Sequence, residues 1–235
     1  MKKSYIATLI VFLVLIPLTL ILGSRLSGRA FYVTSTLVIV ELLIPFFLAF
    51  EGRRPQAREL VVLAVMCALA VAGRVAIPIP NFKAIFGIIM VAGIAFGPES
   101  GFLVGAISAL ASNFFYSQGP YTPWQMMAYG AGGMLAGFVF AQGRLPRKPV
   151  IMGIFGFLAV AFFVGPLLDT CSVFLVMSRI TLKGAMAFYI SGFPVNLRQA
   201  VATAIVLLVL GKPLLEKLDR IKTKYGILDD GGKEA

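Results

Sequence analysis

Residues 112–125 read SNFFYSQGPYTPWQ, and this stretch decides how the chain around it is read. It joins two strongly apolar segments without one charge, yet it carries amides, aromatics and two prolines. A connection that needed only solvation is expected to carry Lys or Glu, so this one is built to face something other than water. Thr122, Pro123 and Gln125 supply a capping residue, a proline at the first helical position and a Gln at the third, which predicts a helix start. That start directs Trp124 and Gln125, with Asn113, Phe114, Tyr116 and Gln118 from the preceding helix end, at one region of one membrane face. These residues are expected to wall a small-molecule site, because pockets combine apolar walls with a few polar groups. The other reading is an interfacial belt of Trp and Tyr.

The flanking segments set the class. Hydrophobic residues make up 59% of the chain, and several runs approach the ~20 residues that cross a bilayer. The chain therefore reads as all-α, a polytopic membrane helix bundle. Cys67 and Cys171 each sit inside an apolar run, so neither a disulfide scaffold nor a metal cluster is expected. The absence of histidine removes His-based general-base catalysis and most zinc or haem ligation, and no cofactor is expected. No G-x-x-x-x-G-K-[ST] loop is present, so ATP-driven work has to come from a partner chain. The net charge of +11 resides in short loops between apolar runs, which is membrane topology rather than a nucleic-acid footprint.

Lys2 and Lys3 precede an apolar run at 5–22 that is too long for a signal-peptide core and lacks an A-x-A-like cleavage site, so it is read as an uncleaved helix. A second run at 31–50 makes residues 1–51 a transmembrane hairpin. Glu41 lies near its middle, where a carboxylate is costly; it is read as a neutral or hydrogen-bonded helix contact. The polar segment 51–58 marks the boundary to a six-helix core at 52–222, followed by a tail at 223–235. Six core spans are predicted at 59–77, 82–96, 98–115, 123–141, 150–177 and 194–210. The second is short for a bilayer, which implies tilt, a thinned membrane or burial among neighbours. With the amino terminus inside, fourteen Lys and Arg fall to the cytoplasm, and Arg25, Arg29, Arg74, Lys83, Arg179 and Lys183 fall outside, with Arg198 within a span. The positive-inside rule then places both termini in the cytoplasm, and it brings the 78–83 loop, the 112–125 loop and the 178–196 stretch to the external face.

On that face Asn81 and Lys83 are candidates to hydrogen-bond an amide or anionic ligand group, or else belong to a solvated turn. Asp169 lies about eight residues, roughly 12 Å, inside the outer end of its helix, too deep for a short side chain to reach water. It is expected to meet a base, a hydrogen-bond network or the ligand, with Arg198 the obvious partner. Ala64, Ala68 and Ala72 recur at i, i+4 and i+8, a stripe that lets another helix approach closely. Its lower end, beside Arg58 and Glu59, is where a partner can dock. Gly101, Gly105 and Ala109, and Gly133 with Gly137, read instead as tight packing inside the bundle.

The alanine stripe, Gly73-Arg74, Ile79-Pro80-Asn81-Phe82-Lys83, the Phe96-Gly97-Pro98 turn, SNFFYSQGPYTPWQMMAYG and Gly192-Phe193-Pro194 together resemble the substrate-binding S-components of energy-coupling factor (ECF) vitamin transporters. The resemblance covers about 59–222, and among S-components it is nearest the group that includes cobalamin transporters. It implies a bacterial or archaeal cell-membrane subunit that captures a vitamin, cobalamin or a related corrinoid, on the external side. Its implied partners are a membrane coupling protein, docked on Ala64, Ala68 and Ala72, and two cytoplasmic ATPases. The first two helices depart from the family's six-helix core, and Asn196 and Arg198 depart from the pattern of close relatives. Two other classes compete. An ion-driven secondary transporter would use Asp169 or Glu41 as a proton site and show inverted repeats, which are not evident. A membrane enzyme is disfavoured by the missing histidine and the scarcity of deep carboxylates.

Overall fold

The computed structural model describes residues 56–226 apart from Gln142 and Ser178, together with short helical stretches at 14–15, 18–19, 33–34, 36–41 and 43–44. The turn expected between the first two runs, Arg53 and Arg54, and most of the tail lie outside the described residues. No strand occurs among those described. Between residues 56 and 226 the described residues form six helices: α1 (Ala57–Val75), α2 (Ile85–Phe96), α3 (Pro98–Tyr116), α4 (Thr122–Ala136, extended by a π-helical turn Gly137–Ala141), α5 (Pro149–Val176) and α6 (Leu182–Tyr225). The last two are long and apolar enough to cross a membrane.

Every one of the 12 residues of α2 is buried. A helix of that length rises only about 18 Å, short of the bilayer core, so burial among its neighbours is what makes its all-apolar sequence stable. It ends at Gly97, whose φ of 94° is a conformation that glycine reaches without a Cβ clash. Pro98 then opens α3. The free carbonyls at the end of α2 receive cations: Arg147 Nη2 donates to Ile94 O at 3.2 Å and Lys222 Nζ to Ala95 O at 2.7 Å. Asp219 pairs with Arg147 at 3.4 Å.

The glycine spacings in α3 and α4 are used between these two helices. A Cβ on Gly101 would fall 2.5 Å from the Gly133 carbonyl oxygen, Gly105 meets the Tyr129 backbone as closely, and Gly137 abuts Pro98. These contacts bring backbone against backbone, where dispersion is densest.

Helix α6 corrects the expected layout. It begins at Leu182, not at 194, so most of the 178–196 stretch is helix and not loop. Thr181 caps it by accepting from the Gly184 amide at 3.2 Å, and Pro194 lies in its interior, a position that membrane helices tolerate. At 44 residues it extends about 66 Å, twice a bilayer's core. Its basic last part turns Leu215 and Leu218 into the main apolar core, with Leu214 and Ile221 packed beside them. The apolar side of the carboxy-terminal stretch therefore covers the bundle itself.

Of the amino-terminal region, Thr19 Oγ1 donates to Glu41 Oε1 at 2.6 Å, which joins two helical stretches 22 residues apart and makes Glu41 a hydrogen-bonded helix contact. Leu43 joins a cluster with Phe102 and Ala106 of α3, and Ile39 one with Trp124 and Cys171.

Candidate substrate-binding site

The end of the bundle opposite Gly97 carries the connections α1–α2 and α3–α4, and its centre is Asn113. This side chain is wholly buried in the last turns of α3. Its Oδ1 accepts from Arg74 Nη1 at 2.9 Å, and its Nδ2 donates to Thr122 Oγ1 at 3.1 Å and Gln125 Oε1 at 2.8 Å. One amide thus ties α1, α3 and α4 together. A buried amide left unpaired would cost about 1–3 kcal/mol, so these partners are required as well as geometrically convenient.

Arg74 reaches the hub from the last turn of α1, where a cation complements the helix dipole. The same Nη1 also donates to Ser112 Oγ. Its guanidinium lies 4.8 Å from the Tyr116 ring centre and 5.7 Å from that of Tyr129, and Tyr116 closes the loop by donating to Arg74 O at 3.0 Å. Arg74 was not among the site residues expected from sequence. The available signal was an arginine at the end of an apolar helix, facing a charge-free, amide-rich loop.

The uncharged character of residues 112–125 now has a physical reason, because its polar groups hold the loop together. Thr122 is the first residue of α4; its hydroxyl ties the loop instead of capping the helix, accepting from the Gly119 amide and donating to Gln118 Oε1 at 3.0 Å. Gln118 Nε2 donates to Leu110 O, and Tyr121 to Ser117 O. Among the expected wall residues, Asn113, Gln118 and Gln125 are joined through this network, with Tyr116 at its edge. Phe114 is 77% exposed and points away from it. Trp124 is buried on another side, stacked on Phe174 of α5 with centroids 5.6 Å apart.

In the neighbouring connection, Asn81 is exposed with φ of 57°, which an Asn tolerates and a turn requires. Lys83 donates to Ile77 O through Nζ, and its carbonyl accepts from Gln199 Nε2 of α6 at 2.7 Å. Gln199, also missed from sequence, anchors this loop to α6.

Asp169 is held by a neutral partner and not by Arg198. Its Oδ2 accepts from Asn196 Nδ2 at 2.7 Å, with Gly192 making room on the facing turn. Residues 192 and 196 share a face of α6, whereas 198 is turned about 200° from 196 and is exposed. Opposite charge had favoured Arg198, but the helix register places Asn196 on the Asp169 face. No group of three or more potential metal ligands occurs among the described residues.

The alanine stripe behaves unlike the glycine stripes. Ala64, Ala68 and Ala72 are exposed, and with Leu103, Ile107, Ala111 and Phe115 of α3 they line an open apolar groove of about 650 Å³.

The described residues thus form a helical bundle with a polar hub at one end and an open apolar groove along one flank. Residues 55–216 match the family described as ECF-type riboflavin transporter, S component, and the chain belongs to that family. It is a substrate-binding transporter subunit of the ECF type. No curated protein and no solved structure matches the chain.

Proposed function

We propose that the chain binds a vitamin at the Asn113 end of the bundle and releases it into the cell with the help of a coupling protein and two ATPases. Riboflavin, the vitamin in the name of the matched family, is the first choice of ligand. The observation that carries this reading is the hub itself: a buried amide held by Arg74, Thr122 and Gln125 beside two tyrosine rings. With Asn113 itself saturated, the hub fixes the exposed Tyr116 and Gln118 and the half-buried Gln125 at its rim, whose aromatic face and amides suit a flat heteroaromatic ring with donors and acceptors on its edge. Asn81, Lys83, Tyr116, Gln118 and the Asp169–Asn196 pair border the same outer end in this reading. Phe114, Trp124 and Arg198 point elsewhere. Cobalamin, to which the sequence resemblance pointed, is the competing ligand.

The groove along Ala64, Ala68 and Ala72 is the docking surface for the coupling protein. Its small exposed side chains admit a helix at close range, which the buried Gly101–Gly133 contact does not. Both termini are cytoplasmic, residues 52–222 form the transport core, and the first helices are an addition to it. Reconstitution into vesicles tests the reading: riboflavin uptake requires the coupling protein, both ATPases and ATP, and survives collapse of ion gradients. Uptake by the chain alone that an ionophore abolishes would favour the ion-driven alternative, with Asp169 as the proton site.

A further inference from the structure

The amino-terminal segment lies outside the stretch that matches the family, and its contacts give it a role. Ile39 is buried in one cluster with Trp124 of α4 and Cys171 of α5, with Tyr121, Met127 and Phe174 packed around it. One turn on, Leu43 is buried against Phe102 and Ala106 of α3. The segment therefore covers the side of the bundle made by α3, α4 and α5. The groove is lined instead by Leu103, Ile107 and Ala111 of α3, about 100° around that helix from Phe102 and Ala106, so the described contacts of Ile39 and Leu43 fall on a different side of α3 from the groove.

Trp124 occupies the first turn of α4, and the next residue, Gln125, holds Asn113. Whatever fixes Trp124 thus fixes one side of the hub. Two buried polar atoms, Trp124 Nε1 in this contact and Thr36 Oγ1 on the segment, have no hydrogen-bond partner among the described residues. Thr36, three residues before Ile39, shares its helical face.

We propose that the segment around Ile39 is a brace on the vitamin-binding loop, seated through Ile39 and Trp124, that tightens ligand binding without covering the docking groove. This rests on the reading of the Asn113 end as the vitamin site. Trp124 is the sole tryptophan of the chain, so its fluorescence reports the seat directly and independently of any ligand.

The test uses the full chain in lipid nanodiscs, as wild type, Ile39→Ala and the milder Ile39→Val. Acrylamide quenching of Trp124 and riboflavin affinity are measured on each. The brace predicts easier quenching in both variants, graded Ala over Val, and riboflavin binding weakened about tenfold in Ile39→Ala. Unchanged quenching overturns the seat, and changed quenching with unchanged affinity overturns its action on the site. If Ile39→Ala does not fold, Ile39→Val decides by the same two readouts. A folded wild-type chain that binds neither riboflavin nor cobalamin defeats the vitamin reading, and the brace's action on ligand binding with it. Quenching that still follows the Ile39 series would show that the contact exists and that the ligand assignment is what failed.

Discussion

Replacing Asn113 by Ala is the most informative single change, because one side chain supports three elements. The variant loses two neutral hydrogen bonds, worth about 0.5–1.5 kcal/mol each, and one to a guanidinium, worth about 1.5–3 kcal/mol. The sum is about 2.5–6 kcal/mol, before Arg74 and Gln125 find substitutes. For a chain of this size 1 kcal/mol corresponds to roughly 2–4 °C in midpoint, so a fall of about 10 °C is expected. The assay is thermal unfolding in detergent, followed by near-ultraviolet circular dichroism, with riboflavin titration of the folded protein. If the ligand is riboflavin bound at this end, as proposed, its affinity is expected to fall at least tenfold, because the hub fixes the proposed site's rim. A midpoint within about 2 °C of wild type would refute the reasoning, since a buried amide that gives up its partners at no cost was not holding them together.

Three further outcomes follow from the same geometry. Ala68→Leu fills the groove and is expected to abolish co-purification with the coupling protein while leaving riboflavin affinity within about twofold, a shift of under ~0.5 kcal/mol. Gly101→Ala drives a Cβ against the Gly133 carbonyl and is expected to destabilise the bundle by about 1–3 kcal/mol, read as a lower unfolding midpoint. Arg198→Ala removes an exposed side chain and shifts stability by less than about 0.5 kcal/mol, whereas Asn196→Leu strips Asp169 of its donor and costs about 1–3 kcal/mol; equal effects in the two variants would contradict the pairing.

Much of the fold was legible because membrane spans are written in long apolar runs and in Gly-Pro punctuation. The Gly97-Pro98 turn, a helix start within one residue of Pro123 and the close glycine contacts of α3 with α4 follow from such local rules, although Thr122 begins the helix and does not cap it. The start of α6 was not legible, since a proline marks a first helical turn in water but is admitted to the interior of a membrane helix. Opposite charge suggested Arg198 as the partner of Asp169, whereas the helix register delivers Asn196.

The site was half legible. The uncharged loop marked where the polar network lies, and Asn113, Gln118 and Gln125 stand in it. Which amides face a ligand and which face each other depends on tertiary contacts. Arg74 joins the hub from a helix 38 residues earlier in the chain. Trp124 is drawn to Phe174 and Ile39 by contacts with no local signature.

The measurement that bears most directly on the central claim is ligand retention by the purified full chain. The protein is incubated with riboflavin and cobalamin together, desalted, and read by absorption spectrum and native mass spectrometry. The account predicts one flavin per chain, with quenched Trp124 emission and loss of the flavin in Asn113→Ala. A corrin spectrum would keep the transporter class and replace the ligand. A folded chain that retains neither vitamin would contradict the assignment of the Asn113 end as a vitamin site.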